Sequence, residues 1–200
     1  MPVLRLAQWS AVCLVVLSVG LSAQEPSTQQ LYETGQYQAV VDRAAEGRAA
    51  TPEDTYWAAL AFLKMENGAA SSAEFRRLQE QGGAWGEVGA SGVAMLDRNY
   101  GEAIAAAQRA IAMSPDHPYL QYQLGVSALG ADDYGLASQA LARATELKPD
   151  FAYAHYYAGQ AFQKLHNLSK ASEHYTYFLR LAPESPDRGA VMAVMRAMRK

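Results

Sequence analysis

Cysteine is almost missing from this 200-residue chain. Cys13 is the single one, so no intrachain disulfide can form and a thiolate zinc site is excluded. Charge is also sparse. Only 18% of residues are charged, the formal net charge is −3, and no basic block occurs, so nothing here draws in a phosphate backbone and no nucleic-acid partner is expected. The glycine patterns that cradle phosphates or dinucleotides are absent, as is the G-x-S-x-G elbow of serine hydrolases. Histidine is scarce too. His117 and His166 fall at expected helix junctions, while His155 and His174 lie on different helices without the i, i+4 spacing of a zinc-binding face. No metal site and no cofactor are therefore expected. Asp132, Asp133 and Glu102 read as solvated turn and helix-start acids, so no catalytic residue is assigned and the chain is not read as an enzyme. The triplet Asn167-Leu168-Ser169 fits the glycosylation rule but matters only in a glycosylating secretory pathway.

No apolar run reaches the roughly 20 residues of a membrane span. The longest, Ala11 to Leu21, follows Arg5 and precedes Leu21-Ser22-Ala23, which is the three-part layout of a secretory signal. Residues 1–23 are thus expected to be a signal peptide cut after Ala23. The competing reading is an uncleaved anchor, helped by Leu4 to Ala7. Ser10-Ala11-Val12 does not make Cys13 a lipid attachment site. The expected location is exported, periplasmic or secreted, with inner-membrane anchoring if the segment stays uncut. A mature chain without cysteine suits a bacterial envelope protein.

Proline is infrequent but regularly placed. Pro115, Pro149 and Pro183 stand at intervals of 34 residues, each closing a helical pattern. With the same shift Tyr122 falls on Tyr156, Gly125 on Gly159, Ala137 on Ala171 and Leu147 on Leu181, while Tyr134 falls on Tyr100 and Ala144 on Ala110. A fixed period of this size marks stacked supersecondary units. These residues resemble the tetratricopeptide repeat (TPR) family, a 34-residue helix–turn–helix. The resemblance implies an all-α, right-handed α-solenoid of TPR-like repeats. Residues 24–83 form degenerate N-terminal repeats, 84–117, 118–151 and 152–185 are three regular ones, and 186–200 are a capping helix. Turns are expected at Gly35, Asn67-Gly68, Arg98-Asn99, Asp132-Asp133 and His166-Asn167, where Asn and Asp suit the backbone. Thr51-Pro52-Glu53-Asp54 opens a helix with an N-cap, a proline at N1 and acids in the first turn. The second unit is the least regular. Its spacing to the third reads as about four residues short, and Gln81-Gly82-Gly83 replaces the expected proline. In the last segment Val191, Val194, Met195 and Met198 share one face that would cover the exposed end of the stack.

The leading helices carry two useful sides. Gly125, Ala128, Gly159 and Ser91 form a small-residue side for close packing, matched by Ala137 and Ala144 on the second helix. The other side holds Tyr119, Tyr122, Val126 and Leu129, with counterparts Tyr153, Tyr156, Gln160 and Gln163 after it and Trp85, Val88, Gly92 and Met95 before it. The resemblance places this side on a concave surface, which implies a peptide groove floored by Trp85, Tyr119, Tyr122, Tyr153, Tyr156 and Gln160. Two readings of these rings stand side by side. They form a docking floor, since Tyr and Trp bring contact area at low entropic cost, or they are scaffold packing across to the next helix. Under the first, Tyr122→Ala with Tyr156→Ala leaves helicity intact and abolishes binding. The Lys, Asn and Arg of the carboxylate-gripping subfamily are absent: those positions carry Val88, Gly89, Gly92, Tyr122, Gln123, Tyr156 and Tyr157. The expected function is an exported scaffold that binds a protein or peptide segment of another envelope protein. The alternative is a carbohydrate-facing, cell-wall module assisting an envelope enzyme.

Overall fold

The computed structural model describes residues 25–45 and 51–198. The expected leader and Arg199–Lys200 lie outside them. The described residues form helices joined by turns. They pair as α1 (Thr28–Glu33) with α2 (Tyr37–Ala45), α3 (Pro52–Lys64) with α4 (Gly68–Gln81), α5 (Gly83–Leu96) with α6 (Tyr100–Met113), α7 (Pro118–Gly130) with α8 (Tyr134–Leu147), and α9 (Ala152–Lys164) with α10 (Leu168–Leu181). The helix α11 (Arg188–Ala197) follows. None of these is long and apolar enough to cross a membrane.

One turn chemistry recurs in four of the five hairpins. Glu66, Arg98, Asp132 and His166 each take a left-handed φ between 58° and 59°. The next residue, Asn67, Asn99, Asp133 or Asn167, then caps the second helix, its side chain accepting from a backbone N–H three residues on. Gly35 supplies the corresponding positive φ in the first hairpin. Thr51 and Asp54 form a capping box at the start of α3, with Pro52 in the first turn. The turn residues 98, 132 and 166 keep the 34-residue period, and the step from 66 to 98 is two residues short rather than four. The shortfall sits where α4 and α5 meet, because Gly82 alone ends one helix and starts the next. Its φ of 69° is open to glycine at little cost.

Alanine allows the helices to stack closely. Ala103, Ala106, Ala107, Ala110, Ala137, Ala144, Ala158 and Ala171 are all fully buried. Each second helix packs on the leading helix of its own hairpin and on that of the next, α6 on α7 and α8 on α9. At Gly159 an added Cβ would lie 2.6 Å from the Tyr175 ring, so the glycine permits close approach within the α9–α10 hairpin. Val191 is buried on α11, with Val194, Met195 and Met198 half-buried beside it, and the helix lies against α10.

The coil closes on itself. Tyr32 of α1 packs 5.0 Å from Trp57 on α3 and 5.1 Å from Tyr153 on α9. Lys64 at the end of α3 pairs with Asp187 at 2.7 Å, and the Tyr153 hydroxyl donates to the same carboxylate at 2.6 Å. Gly35 lies so near Pro186 that an added Cβ would meet its ring at 2.7 Å. The first hairpin therefore touches the segment leading into α11, and much of the concave face becomes interior.

Candidate functional site

The inner face divides into a sealed half and an open half. In the sealed half, the rings of Trp57, Tyr119 and Phe151 meet edge to face at 5.3 to 5.7 Å. Tyr122 packs 4.7 Å from Phe151, and α1 lies over this cluster. Burial raises the hydroxyl pKa of Tyr32, Tyr56 and Tyr122 well above the ordinary phenol value, so these hydroxyls stay neutral, and that of Tyr56 donates to Gln123.

The six residues expected to floor a groove separate accordingly. Tyr119, Tyr122 and Tyr153 are buried. Trp85 is half-buried at the rim, edge-on to His117 at 5.1 Å. Tyr156 and Gln160 are also half-buried, with the Tyr156 ring 5.2 Å from Phe178. An uncovered aromatic floor is thus not what the closed coil presents. Tyr122→Ala with Tyr156→Ala would remove core as well as surface, because Tyr122 is 2% exposed.

In the open half a cleft of about 410 Å³ enters between the leading helices. It is lined by Leu60, Leu63, Met95, Leu96, Val126 and Tyr157 together with Tyr32, Lys64 and Tyr122, so Tyr122 is the one expected floor residue that also borders this cleft. Leu63 is exposed and Met95, Leu96 and Val126 are half-buried. Gln123 also borders the cleft and is held in a polar network spanning three hairpins. It accepts from the Tyr56 hydroxyl at 2.9 Å and donates to Ser91 at 3.0 Å, and Ser91 in turn lies 3.1 Å from Ser127. Satisfied in this way, the buried amide fixes the spacing of α3, α5 and α7. Lys64 is already neutralised by Asp187. The cleft therefore offers apolar surface with little net charge.

Val126 and Met95 lie on the face that periodicity singles out. Leu60 and Leu63 occupy the same positions on α3 as Gly92 and Met95 on α5, counting back from the turns at Glu66 and Arg98. A two-residue offset for the second hairpin finds them, whereas an offset of four lands on Phe62 and Met65.

Outside the cleft, the structure brings together two histidines that sequence spacing keeps apart. His155 Nδ1 lies 3.1 Å from His174 Nδ1, and His155 Nε2 lies 3.2 Å from the Pro149 carbonyl. A carbonyl only accepts, so Nε2 carries the proton and Nδ1 accepts from His174. Burial pushes the His155 pKa down to about 4, and burial lowers that of His174 too. A depressed folded pKa means that stability is present above the unfolded value and is lost as pH falls from about 6.5 towards about 4. His155→Phe should keep the stacking on Tyr177, seen at 4.8 Å, and remove that loss. The wild-type-minus-variant difference in unfolding free energy should then shrink by on the order of 2 kcal/mol over this window; a constant difference refutes the assignment. Among the described residues no third metal-binding side chain joins the pair.

Comparison with known proteins places this geometry. No family model and no curated protein matches the sequence. Among solved structures, the chain is similar to a thermophilic TPR protein of Thermus thermophilus, with 19% identity and a TM-score of 0.63 over 86% of this chain and 95% of that one. It is also similar to YrrB, a TPR protein with an unusual peptide-binding site, at 19% identity and a TM-score of 0.53 over 84% and 88%. The first TPR of Spaghetti (RPAP3), bound to the HSP90 peptide SRMEEVD, is similar at 19% identity and a TM-score of 0.54 over 58% and 90%. At these identities the likeness is one of fold. Taken with the recurring turn, the 34-residue period and the stacked hairpins, it identifies the chain as an α-solenoid of the tetratricopeptide-repeat fold.

Proposed function

We propose that this protein is an exported interaction scaffold whose cleft takes an apolar segment of another cell-envelope protein. The observation that carries the reading is the cleft itself. Beside the packed rings, Leu63, Met95, Leu96 and Val126 remain at least partly open to solvent above the buried Leu60 and form an apolar lining. Contiguous exposed apolar surface marks contact sites. YrrB and the first TPR of Spaghetti supply a precedent for peptide binding on this fold. The peptide held by Spaghetti is acidic, whereas the cleft here has Lys64 as its one cation among the described residues, and Asp187 occupies it. The ligand is accordingly apolar rather than acidic. Export rests on the layout of residues 1–23. A glycan-facing role needs free ring faces, and Tyr119, Tyr122 and Tyr153 are packed against other rings.

Peptide-display selection against the folded protein tests the reading. Enriched sequences should be apolar, and their binding should fall at least about tenfold in Leu63→Arg, a change worth about 1.4 kcal/mol. Helical circular dichroism should stay unchanged, since Leu63 is 39% exposed. Enrichment of acidic tails, or equal binding by the variant, would overturn it.

A further inference from the structure

The contact that seals the inner face is made by a helix too short to stand alone. At six residues, α1 is far below the length at which isolated helices persist in water, so its position depends on what it touches. Thr28 donates to Asp54 at 2.6 Å, and Gln29 accepts from the Tyr119 hydroxyl at 2.7 Å. Glu33 makes the hydrogen bond of α1 that reaches farthest along the sequence. Its carboxylate accepts from the Ala152 N–H at 3.0 Å and from Gln29 Nε2 at 2.8 Å. α9 has no side-chain cap of its own, because Phe151 stands at its N-cap position, and Glu33 supplies the missing acceptor from 119 residues away.

Glu33 is 6% exposed, and among the described residues no cation pairs with it. The titratable and charged groups around it come from every packed element. Tyr119 on α7 and Asp150 before α9 act on it directly, and Arg43 on α2, Glu53 and Asp54 on α3 and Lys148 before α9 line a pocket beside α1. Arg43 bonds the Pro26 carbonyl, and Lys148 pairs with Asp150 at 3.1 Å. The nearer charge of Asp150 is of like sign. This is a carboxylate buried without a counter-ion, in which proton occupancy decides the cost of burial.

We propose that Glu33 is a proton-sensitive latch: protonated, it holds α1 on the inner face, and ionised, it lets α1 lift and widen the cleft that Tyr32 partly closes. Lifting α1 would also uncover Trp57, Tyr119 and Tyr153, turning the sealed half into the aromatic groove that the repeat pattern describes. That last step rests on the peptide-binding reading; the latch does not. Burial raises the Glu33 pKa to about 7. The sign follows from linkage. A raised folded pKa gives a contribution that is complete below the unfolded carboxylate value and is lost as pH rises through about 7.

Hydrogen exchange, corrected for intrinsic rates, tests the latch without any ligand. Residues 28–33 should lose on the order of tenfold protection or more between about pH 5 and about pH 8, with α5 to α8 unchanged. Glu33→Gln should hold α1 down at both pH values, within about twofold. It keeps a neutral acceptor and leaves the opposing titration of His155 in place. Constant protection in the wild type, or full pH dependence in Glu33→Gln, would overturn the proposal. Should the variant misfold, carboxyl NMR of wild-type Glu33 decides instead: a midpoint near 7 supports the latch, and one in the ordinary carboxylate range overturns it. Peptide binding absent at both pH values, with the latch titrating, would sink the peptide reading alone.

Discussion

Trp57→Ala should lower the unfolding free energy by about 3–5 kcal/mol, the range for removing a fully buried large aromatic. Trp57 is 1% exposed and sits where four parts of the chain meet. Its ring lies 5.0 Å from Tyr32, 5.8 Å from Tyr56, 5.3 Å from Tyr119 and 5.7 Å from Phe151. These neighbours come from α1, α3, α7 and the start of α9, so the cavity left behind cannot be filled by shifting one side chain. At this chain length each kcal/mol corresponds to roughly 2–4 °C, which puts the loss in melting temperature near about 10 °C. Met113→Ala is the matched control. Met113 is 56% exposed, and its removal should change stability by less than about 0.5 kcal/mol. Denaturant titration of both variants gives the comparison. A loss below about 1 kcal/mol for Trp57→Ala would mean that the inner aromatic cluster does not hold the coil closed.

Gly35→Ala should cost about 2–5 kcal/mol, the sum of two separate effects. Gly35 has φ +80°, a left-handed conformation that costs a residue with a Cβ about 1–2 kcal/mol. The new methyl would also fall 2.7 Å and 3.0 Å from Pro186, an overlap that backbone movement must relieve. The two effects can be divided experimentally. In a double-mutant cycle Pro186→Ala should restore the steric share and leave the conformational share. Gly68→Ala makes the opposite expectation, because that glycine lies at the start of α4 with nothing within 4 Å of an added Cβ. It should be neutral or stabilise by up to about 1 kcal/mol. Equal effects of the two glycine substitutions, read from unfolding midpoints, would deny the contact between the first hairpin and the segment before α11.

Much of the architecture is legible from local chemistry. The prolines at 115, 149 and 183 and the Asn or Asp caps at 99, 133 and 167 mark helix ends by what the backbone itself permits. The apolar face of each leading helix follows from 100° spacing. The site is legible in part. Met95 and Val126 are on the face that periodicity singles out, but Leu60 and Leu63 are not, because the two-residue shortening between Glu66 and Arg98 reads from sequence as four. Each residue of error in a helix rotates the inferred face by 100°. Two extra residues therefore turn Leu60 and Leu63 away from the groove and put Phe62 and Met65 in their place. His155 and His174 look separate in the sequence for a related reason. Spacing along one helix cannot report a contact between two.

Whether the inner face is a groove or an interior cannot be read from periodicity. That pattern says which side chains share a side; it does not say how close two sides come. Closure is set by the sum of small tilts at successive hairpin interfaces. Each tilt depends on side-chain volumes such as those at Gly130 on α7 and Tyr100 on α6, so a modest change per interface decides whether the first hairpin meets the last. Glu33 shows the consequence. Nothing near residue 33 announces a buried carboxylate, since its acceptor role and its raised pKa exist only once the coil brings Ala152 against it. Helix ends, turns and repeat length are written in short stretches of chain, because backbone sterics and capping act over a few residues. The sealed aromatic half, the open cleft and the titratable latch belong to the assembled coil, because burial and desolvation are properties of residues far apart in sequence that meet in space.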